Sequence, residues 1–435
     1  MLRCLLSVSL FTFLVAPQIS FSQDNIPENI QIGPIHTSGF QPCEPSIAIS
    51  PLDPQIVVAG SILDNVYNST DGGKTWNHQQ LTSQFGVYGD PCVVASPTGD
   101  FYYLHLSDPE GKGWSSNTLL DRIVCQHSTD GGVTWSKGGG MGLSHPKDQD
   151  KEWAVVSADG STIYACWTQF DKYDSREPQD STIILCSSAG RKANNWSTPV
   201  RISERAGNCL DSDATTEGAV PSISPEGTLY VAWALHETIW FDRSTDGGKT
   251  WLTSDIAATS IIGGWDQQVS AIGRVNGMPV TAVDLDSTSP HYGRIYINWT
   301  DARNGDDDLD VFLCYSDDDG DTWSSPVRVN DDGSGSQQFF TWMSVDPFTG
   351  GIHIVFYDRR SHTDDTTNVY VASSFDGGET FTNLLVSESP FLPQGTVFFG
   401  DYNNISAVDG HVRPIWTRED DNVLTIWTAL IDFTE

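Results

Sequence analysis

The sequence predicts an all-β chain folded as a β-propeller of four-stranded blades, seven of them rather than six. The first observation is a phrase of the form Ser-x-Asp-x-Gly-x-Thr-Trp. It reads Ser69-Thr70-Asp71-Gly72-Gly73-Lys74-Thr75-Trp76 and returns at residues 128–135, 244–251 and 316–323. It recurs at 374–381 with Phe381 in the Trp position, and a worn copy at 187–196 keeps little beyond Ser187 and Trp196. The second observation is spacing. Asp71 to Asp130 is 59 residues, Asp130 to Asp246 is 116, which is two units around the worn copy, and Asp318 to Asp376 is 58. Asp246 to Asp318 is 72, so that unit carries an insertion. The third is the tail: strand-like runs at 404–408, 412–417 and 423–428 make a seventh unit that ends before its own turn. A radial array of four-stranded sheets at this period is a propeller.

Each phrase reads as the turn between the third and fourth strands of a blade. Its Gly pair, Asp319-Gly320 in the copy at 316–323, supplies the positive φ angles of a tight turn. The Ser and Asp side chains can bond turn amides, and the Trp starts the next strand with a large apolar face. These residues are therefore expected to be structural. Outer strands share a Pro-Val-Arg phrase, Pro199-Val200-Arg201 and Pro326-Val327-Arg328, which residues 26–32 resemble loosely. Residues near 30–33 are expected to supply the outer strand missing from the last blade, hiding the open edge.

An apolar run over residues 5–15 follows Arg3, with Ser20-Phe21-Ser22 at the end. This predicts a signal peptide over residues 1–22 and one propeller domain over 23–435. The product would be secreted or periplasmic. No other run is long and apolar enough to span a bilayer. The formal net charge of −34 argues against nucleic acid and anionic membrane surfaces as partners. Seven cysteines follow the leader, an odd number, so at least one thiol is free. Cys43 and Cys92 both precede inner strands and form a candidate disulfide. Cys125, Cys186 and Cys314 share a third-strand position and read as packing. No zinc spacing or cofactor motif is present. The acidic run 306–310 reads as a solvated loop rather than a calcium site, because it lacks the spacing of a calcium hand.

Propeller geometry then sorts the loops. The repeated turns line one face, so an axial pocket on the other must use residues before inner strands and at the ends of second strands. Before the inner strands stand Glu44, Asp90, the Asp150-Lys151-Glu152-Trp153 cluster, Glu217, Gln337-Gln338 with Trp342, and Asp401-Tyr402. They vary from blade to blade on a repeating frame, as a site would. Arg303, Arg360 and Arg418 end three second strands in parallel phrases. They are candidates to hold a carboxylate or sulfate bidentately. The same spacing also fits an Asp–Arg pair repeated as architecture.

The repeated turn resembles the Asp-box, or BNR repeat, of sialidases, and repeat and strand pattern cover essentially the whole chain after the leader. The resemblance implies an exo-acting sialidase-like glycoside hydrolase that takes an anionic glycan or polysaccharide and needs no cofactor or metal. Carried onto this chain, it implies Tyr402 as nucleophile, Glu217 as its assistant and Asp90 as acid/base. Arg303, Arg360 and Arg418 would hold the substrate carboxylate, with Glu44, Glu152, Trp342 and Asp401 around the sugar. Two departures stand out. Cys43-Glu44-Pro45 replaces the family's first Arg-Ile-Pro phrase, and family sialidases have six blades. A noncatalytic glycan- or protein-binding propeller and a polysaccharide lyase are the alternatives.

Overall fold

The computed structural model describes residues 26–35, 40–333 and 335–433. The leader expected over residues 1–22 lies outside them. Seven antiparallel blades follow one another along the chain, each built on four strands, the last with a short fifth strand, Ile431–Asp432, beside its second. Blade one is Ser46–Ser50, Asp53–Ser61, Asn65–Ser69 and Asn77–Gln80; blade two is Cys92–Ala95, Phe101–Leu106, Ile123–Ser128 and Gly139–Met141. Blade three is Asp148–Val156, Thr162–Phe170, Thr182–Gly190 and Val200–Arg201; blade four is Glu217–Ile223, Leu229–Leu235, Thr238–Ser244 and Ile256–Ser260. Blade five is Val280–Val283, Ile295–Asp301, Asp310–Ser316 and Val327–Arg328; blade six is Gln338–Val345, Ile352–Asp358, Asn368–Ser374 and Thr382–Leu385. Blade seven takes Asn404–Val408, His411–Asp420 and Val423–Ala429 from the end of the chain. The first strands pack side by side in a closed ring around the axis.

Closure follows the expectation. Asn29–Ile32 pairs antiparallel with the third strand of blade seven, Asn29 opposite Ala429 and Ile32 opposite Ile426. Ile32 and Ile426 then pack with Ile47, Ile49, Val57 and Tyr67 of blade one. The chain's two ends thus share one sheet, and burial of that cluster couples them.

The turns are built as their residues dictate. The Ser69 hydroxyl donates to Asp71 Oδ1 at 2.8 Å and accepts the Gly73 amide at 2.9 Å. Asp71 accepts the Thr75 amide at 2.9 Å and its hydroxyl at 2.6 Å, and the Trp76 indole donates to the Gly73 carbonyl at 2.9 Å. The same carboxylate bonds recur around Asp130, Asp246, Asp318 and Asp376. The second turn glycine is required twice over. Gly320 has φ +87°, and a Cβ there would lie 2.2 Å from Phe241 of the preceding blade. Even the worn copy keeps the indole bond, from Trp196 to the carbonyl of Ala193, which has φ 49°.

Two sequence expectations are corrected. Cys43 and Cys92 are free thiols and do not occupy equivalent positions. Cys43 precedes Glu44 and packs near Ile62 and Phe399, whereas Cys92 follows Asp90 by two residues and packs near Leu104 and Trp153. Nor is the acidic run 306–310 wholly a solvated loop. Asp310 is buried and accepts from Arg328 Nε at 2.6 Å, and Asp308 accepts the Gly335 amide at 2.8 Å.

Candidate functional site

Inner strands are entered through a repeated backbone step. Glu44, Asp90, Lys151, Gly218, Phe340 and Gly400 have φ of 52°, 50°, 54°, 81°, 49° and 95°. In blades three, four and six the step is a bulge that shifts the register between inner and second strands. For the non-glycine members this conformation costs on the order of 1–3 kcal/mol each, and such strain gathers at functional sites. Two residues after each step the chain reaches Ser46, Cys92, Trp153, Val220 and Trp342 on the axial channel, and Tyr402 beside it.

The step aims Glu44, Asp90 and Lys151 into a cavity of about 540 Å³, lined also by Asp150, Arg274 and Asp401. Its walls come from the loops between second and third strands and those entering inner strands, so it opens on the face opposite the repeated turns. Phe40, Tyr88, Trp114, Tyr173 and Phe398 line it as well, and Phe40, Trp114 and Phe398 are exposed. The Tyr88–Trp114 and Trp114–Tyr173 ring centroids lie 6.5 and 5.4 Å apart. Beneath the cavity, Trp153, Trp342 and Tyr402 form a floor, with centroids 4.2 Å apart for the tryptophan pair and 5.0 Å for Trp153–Tyr402. On the far side of that floor the axial channel, about 390 Å³, runs toward the opposite face.

Charge in the cavity is organised around Asp401. Arg274 Nε donates to Asp401 Oδ1 at 2.8 Å, and Arg274 NH2 and Lys151 Nζ both bond Oδ2. Arg274 NH1 also donates to Asp211 at 2.5 Å, which accepts from the Tyr173 hydroxyl at 2.8 Å. Burial works to raise the Asp401 carboxyl, but Lys151 and Arg274 outweigh it and hold it at about 2. Asp90 has the opposite balance. Burial pushes it up, Lys151 draws it down, and Asp401 adds to the rise. Its Oδ2 lies 3.6 Å from Lys151 Nζ and makes no hydrogen bond among the described residues. Burial likewise pushes Glu44 up, with Asp90 and Asp401 adding, and its Oε1 accepts the Asp401 amide at 3.1 Å.

The structure therefore brings Glu44, Asp90 and Asp401 to one cavity and sets Tyr402 and Trp342 under it. The Tyr402 hydroxyl donates to the Pro91 carbonyl at 3.3 Å, and burial pushes it up with Asp90, Glu44 and Glu152 adding. Glu152 and Glu217 are buried, each with both carboxyl oxygens unpartnered among the described residues. Burial pushes both up; the next contribution comes from Asp90 for Glu152 and from Asp211 for Glu217.

Arg303, Arg360 and Arg418 line neither the cavity nor the small recess at its floor. Each turns outward over its own blade. Arg303 binds Asp301 at 2.5 Å and stacks on Phe312, 4.2 Å from the ring centroid. Arg360 binds Asp358 at 2.7 Å and stacks on Tyr370 at 4.3 Å. Arg418 binds Asp420 at 2.6 Å and lies 5.9 Å from Trp427. All three rings belong to third strands, so the repeated Asp–Arg phrase follows the blade and not the axis.

The cavity's guanidinium is Arg274, which sequence reasoning missed. It sits on a hairpin, Asp266–Val269 with Ile272–Asn276, inserted between blades four and five. The 72-residue spacing from Asp246 to Asp318 was its one trace. Among the described residues no group of three or more His, Cys, Asp or Glu is arranged to hold a metal ion. No helix among them is long and apolar enough to cross a membrane.

Comparisons with known proteins agree with this architecture. A sialidase of Bacteroides fragilis (strain YCH46) is 26% identical over 157 residues, a match covering 29% of this chain and 27% of that protein. The chain thus spans about a quarter of the curated relative it matches. A solved Dyadobacter fermentans DSM 18053 protein of unknown function shares 13% identity at a TM-score of 0.50, covering 94% of this chain and 99% of that one. The Hadza microbial sialidase Hz136 shares 15% identity at a TM-score of 0.50, covering 87% and 73%. These two likenesses show the fold. The BNR/Asp-box repeat model matches residues 126–137, the second turn. The BNR repeat-like domain model matches residues 161–401, more than half of the chain, and the protein is a sialidase-like propeller that belongs to this family.

Proposed function

We propose that the protein is a secreted sialidase-like glycoside hydrolase that takes an acidic glycan in the axial cavity. One observation carries this reading: two carboxyl groups on one cavity are pushed in opposite directions, Asp90 up and Asp401 down to about 2. Such a split sets a carboxyl drawn toward its neutral form beside one held ionised, the pairing that acid catalysis uses. Asp90 is the general acid for the leaving oxygen. Arg274, whose side chain is 36% exposed, and Lys151 behind it supply the positive field for the acidic sugar, the role first expected of Arg303, Arg360 and Arg418. The exposed aromatic rings offer flat apolar faces to the sugar.

Tyr402 is kept as the attacking group. As it bonds the anomeric carbon, its phenolic proton passes to solvent water, because Glu44, pushed up by burial with Asp90 and Asp401 adding, is held toward its neutral form. The glycosidic bond breaks as Asp90 hands its proton to the departing oxygen, and water then releases the sugar. Glu217, expected to assist, acts instead through the charge around Lys151, and Glu152 through that around Asp90. Residues 1–22 are read as a leader and 23–435 as one propeller domain; the mature terminus, expected at Gln23, is checked by N-terminal sequencing of the exported protein.

A noncatalytic glycan-binding propeller is the second reading. It is favoured by Tyr402 already bonding the Pro91 carbonyl and by Asp401 being bound by two cations. Incubation with sialosides and uronate-containing polysaccharides separates the readings by product. A hydrolase releases a saturated acidic sugar, a lyase an unsaturated one, and a binding module nothing. Tyr402→Phe should bind the substrate and stop turnover; a full rate in that variant would remove Tyr402 from the chemistry.

A further inference from the structure

Blade three carries a cysteine pair that the other cysteine-bearing blades lack. Cys166 on the second strand stands directly opposite Cys186 on the third, both as free thiols in this structure. The third-strand cysteines of blades two and five, Cys125 and Cys314, face Leu104 and Ile297 instead. The hydrogen-bond phase of the strand pair can be read from its two ends. Asp171 donates its amide to the Ser181 carbonyl at 2.9 Å, and Arg191 donates to the Ser161 carbonyl at 2.9 Å. Both are directly opposed pairs, and the register runs between them without a bulge. Hydrogen-bonded pairs alternate along an antiparallel ladder, so the odd-numbered positions from 161 to 171 are bonded and the even ones are not.

Cys166 and Cys186 therefore form a non-hydrogen-bonded pair. There α-carbons approach to about 4.5 Å and side chains lie closest. A disulfide spans α-carbon separations of roughly 4.4–6.8 Å. The two sulfurs share one face, in the buried cluster of Ile184, Ile202, Ala219, Val231 and Trp233 between blades three and four.

We propose that Cys166 and Cys186 close a cross-strand disulfide in blade three when the chain folds under oxidising conditions. The two thiols lose two protons and two electrons to a low-molecular-weight disulfide such as oxidised glutathione. One thiolate attacks the oxidant and forms a mixed disulfide, and the second displaces the reduced thiol. Burial pushes the Cys166 thiol well above its ordinary range. Exchange therefore takes place while the strands are still open, not in the finished blade. The bond staples the second strand to the third behind Asp148–Val156, the inner strand that carries Lys151 into the cavity. It is independent of the reaction proposed above.

Peptide mapping tests it. The chain is refolded in a glutathione redox buffer, its remaining thiols are alkylated in denaturant, and it is digested with trypsin. Cleavage after Lys151, Lys172, Arg176 and Arg191 leaves Cys166 and Cys186 on separate peptides. The expected result is one cross-linked pair, two hydrogens lighter than its peptides together, that separates on reduction, with Cys43 and Cys92 alkylated. Recovery of Cys166 and Cys186 as alkylated peptides, or linked to other cysteines, would overturn the proposal. As a second readout, reductant should lower the wild-type Tm by several degrees and leave that of the C166A/C186A variant unchanged. An equal drop in both would also overturn it.

Discussion

Arg274 and Asp401 meet at the mouth of the propeller, Nε to Oδ1 at 2.8 Å, from positions more than a hundred residues apart. One arrives on an inserted hairpin and the other at the entry to the last blade. Between them they fix the charge of the cavity.

Arg274→Ala tests that relationship. It leaves Asp401 with Lys151 alone, and Asp211 without its cation. Breaking a buried pair costs about 3–5 kcal/mol. Arg274 is partly exposed, so about 2 kcal/mol is expected. Urea unfolding should show that loss, and titration with an acidic glycan should show weakened binding. Unchanged binding would remove Arg274 from substrate recognition.

Asp130→Ala removes the acceptor of the Thr134 amide and hydroxyl in the second turn. A cost of about 1–2 kcal/mol is expected, with glycan binding unaltered in the folded fraction. A variant that melts like the parent yet loses binding would mean that the turn face carries the site.

The fold could be read almost entirely from the chain because the repeated turn reports itself. Asp71 and its counterparts need the same Ser, Gly and Thr partners in every copy, so the chemistry recurs as a visible phrase. The candidate site repeats backbone, not side chains. The positive-φ step is filled by Glu44, Asp90, Lys151, Gly218, Phe340 and Gly400, six positions with little residue type in common. Reasoning from loop position still reached Glu44, Asp90 and Asp401. It also named Arg303, Arg360 and Arg418, which lie outside the cavity and pair with carboxylates on their own blades, Arg303 and Arg360 over third-strand rings. Arg274 left no motif, since an inserted hairpin registers only as extra length.

Arg303→Ala, Arg360→Ala and Arg418→Ala should accordingly act on stability. Each loses an ion pair and a ring contact, with the larger effects at Asp301 and Asp358, which are buried. Thermal melts should fall for the first two and little for Arg418→Ala, whose partner Asp420 is exposed. Turnover per folded molecule should stay constant in all three. A selective loss of affinity without loss of Tm would return these residues to the substrate.

Stability should decline as pH rises above the mildly acidic range. Burial pushes Asp242 up to about 7 and, with Asp90 adding, Asp150 up to about 8. A raised acid stabilises the fold fully below its unfolded value, about 3.9. That contribution is lost as pH climbs through the folded value. The turn carboxylates act in the other sense. Hydrogen bonds from Thr75 hold Asp71 at about 2, so its contribution is present above the ordinary range and lost as pH falls toward that value. Tm is expected to be higher at about pH 5 than at about pH 8.5, and Asp150→Asn should flatten the decline. A Tm that climbs steadily over that interval would contradict the assignment.

The central claim is that Asp90 works as an acid over the axial cavity. Its most direct test is product analysis by mass spectrometry of wild type and Asp90→Asn on the same panel of acidic glycans, with binding measured in parallel. The account predicts that wild type releases a saturated acidic sugar, while Asp90→Asn binds the glycan and releases none. Binding without product by the wild type, or release by Asp90→Asn at the wild-type rate, would contradict it.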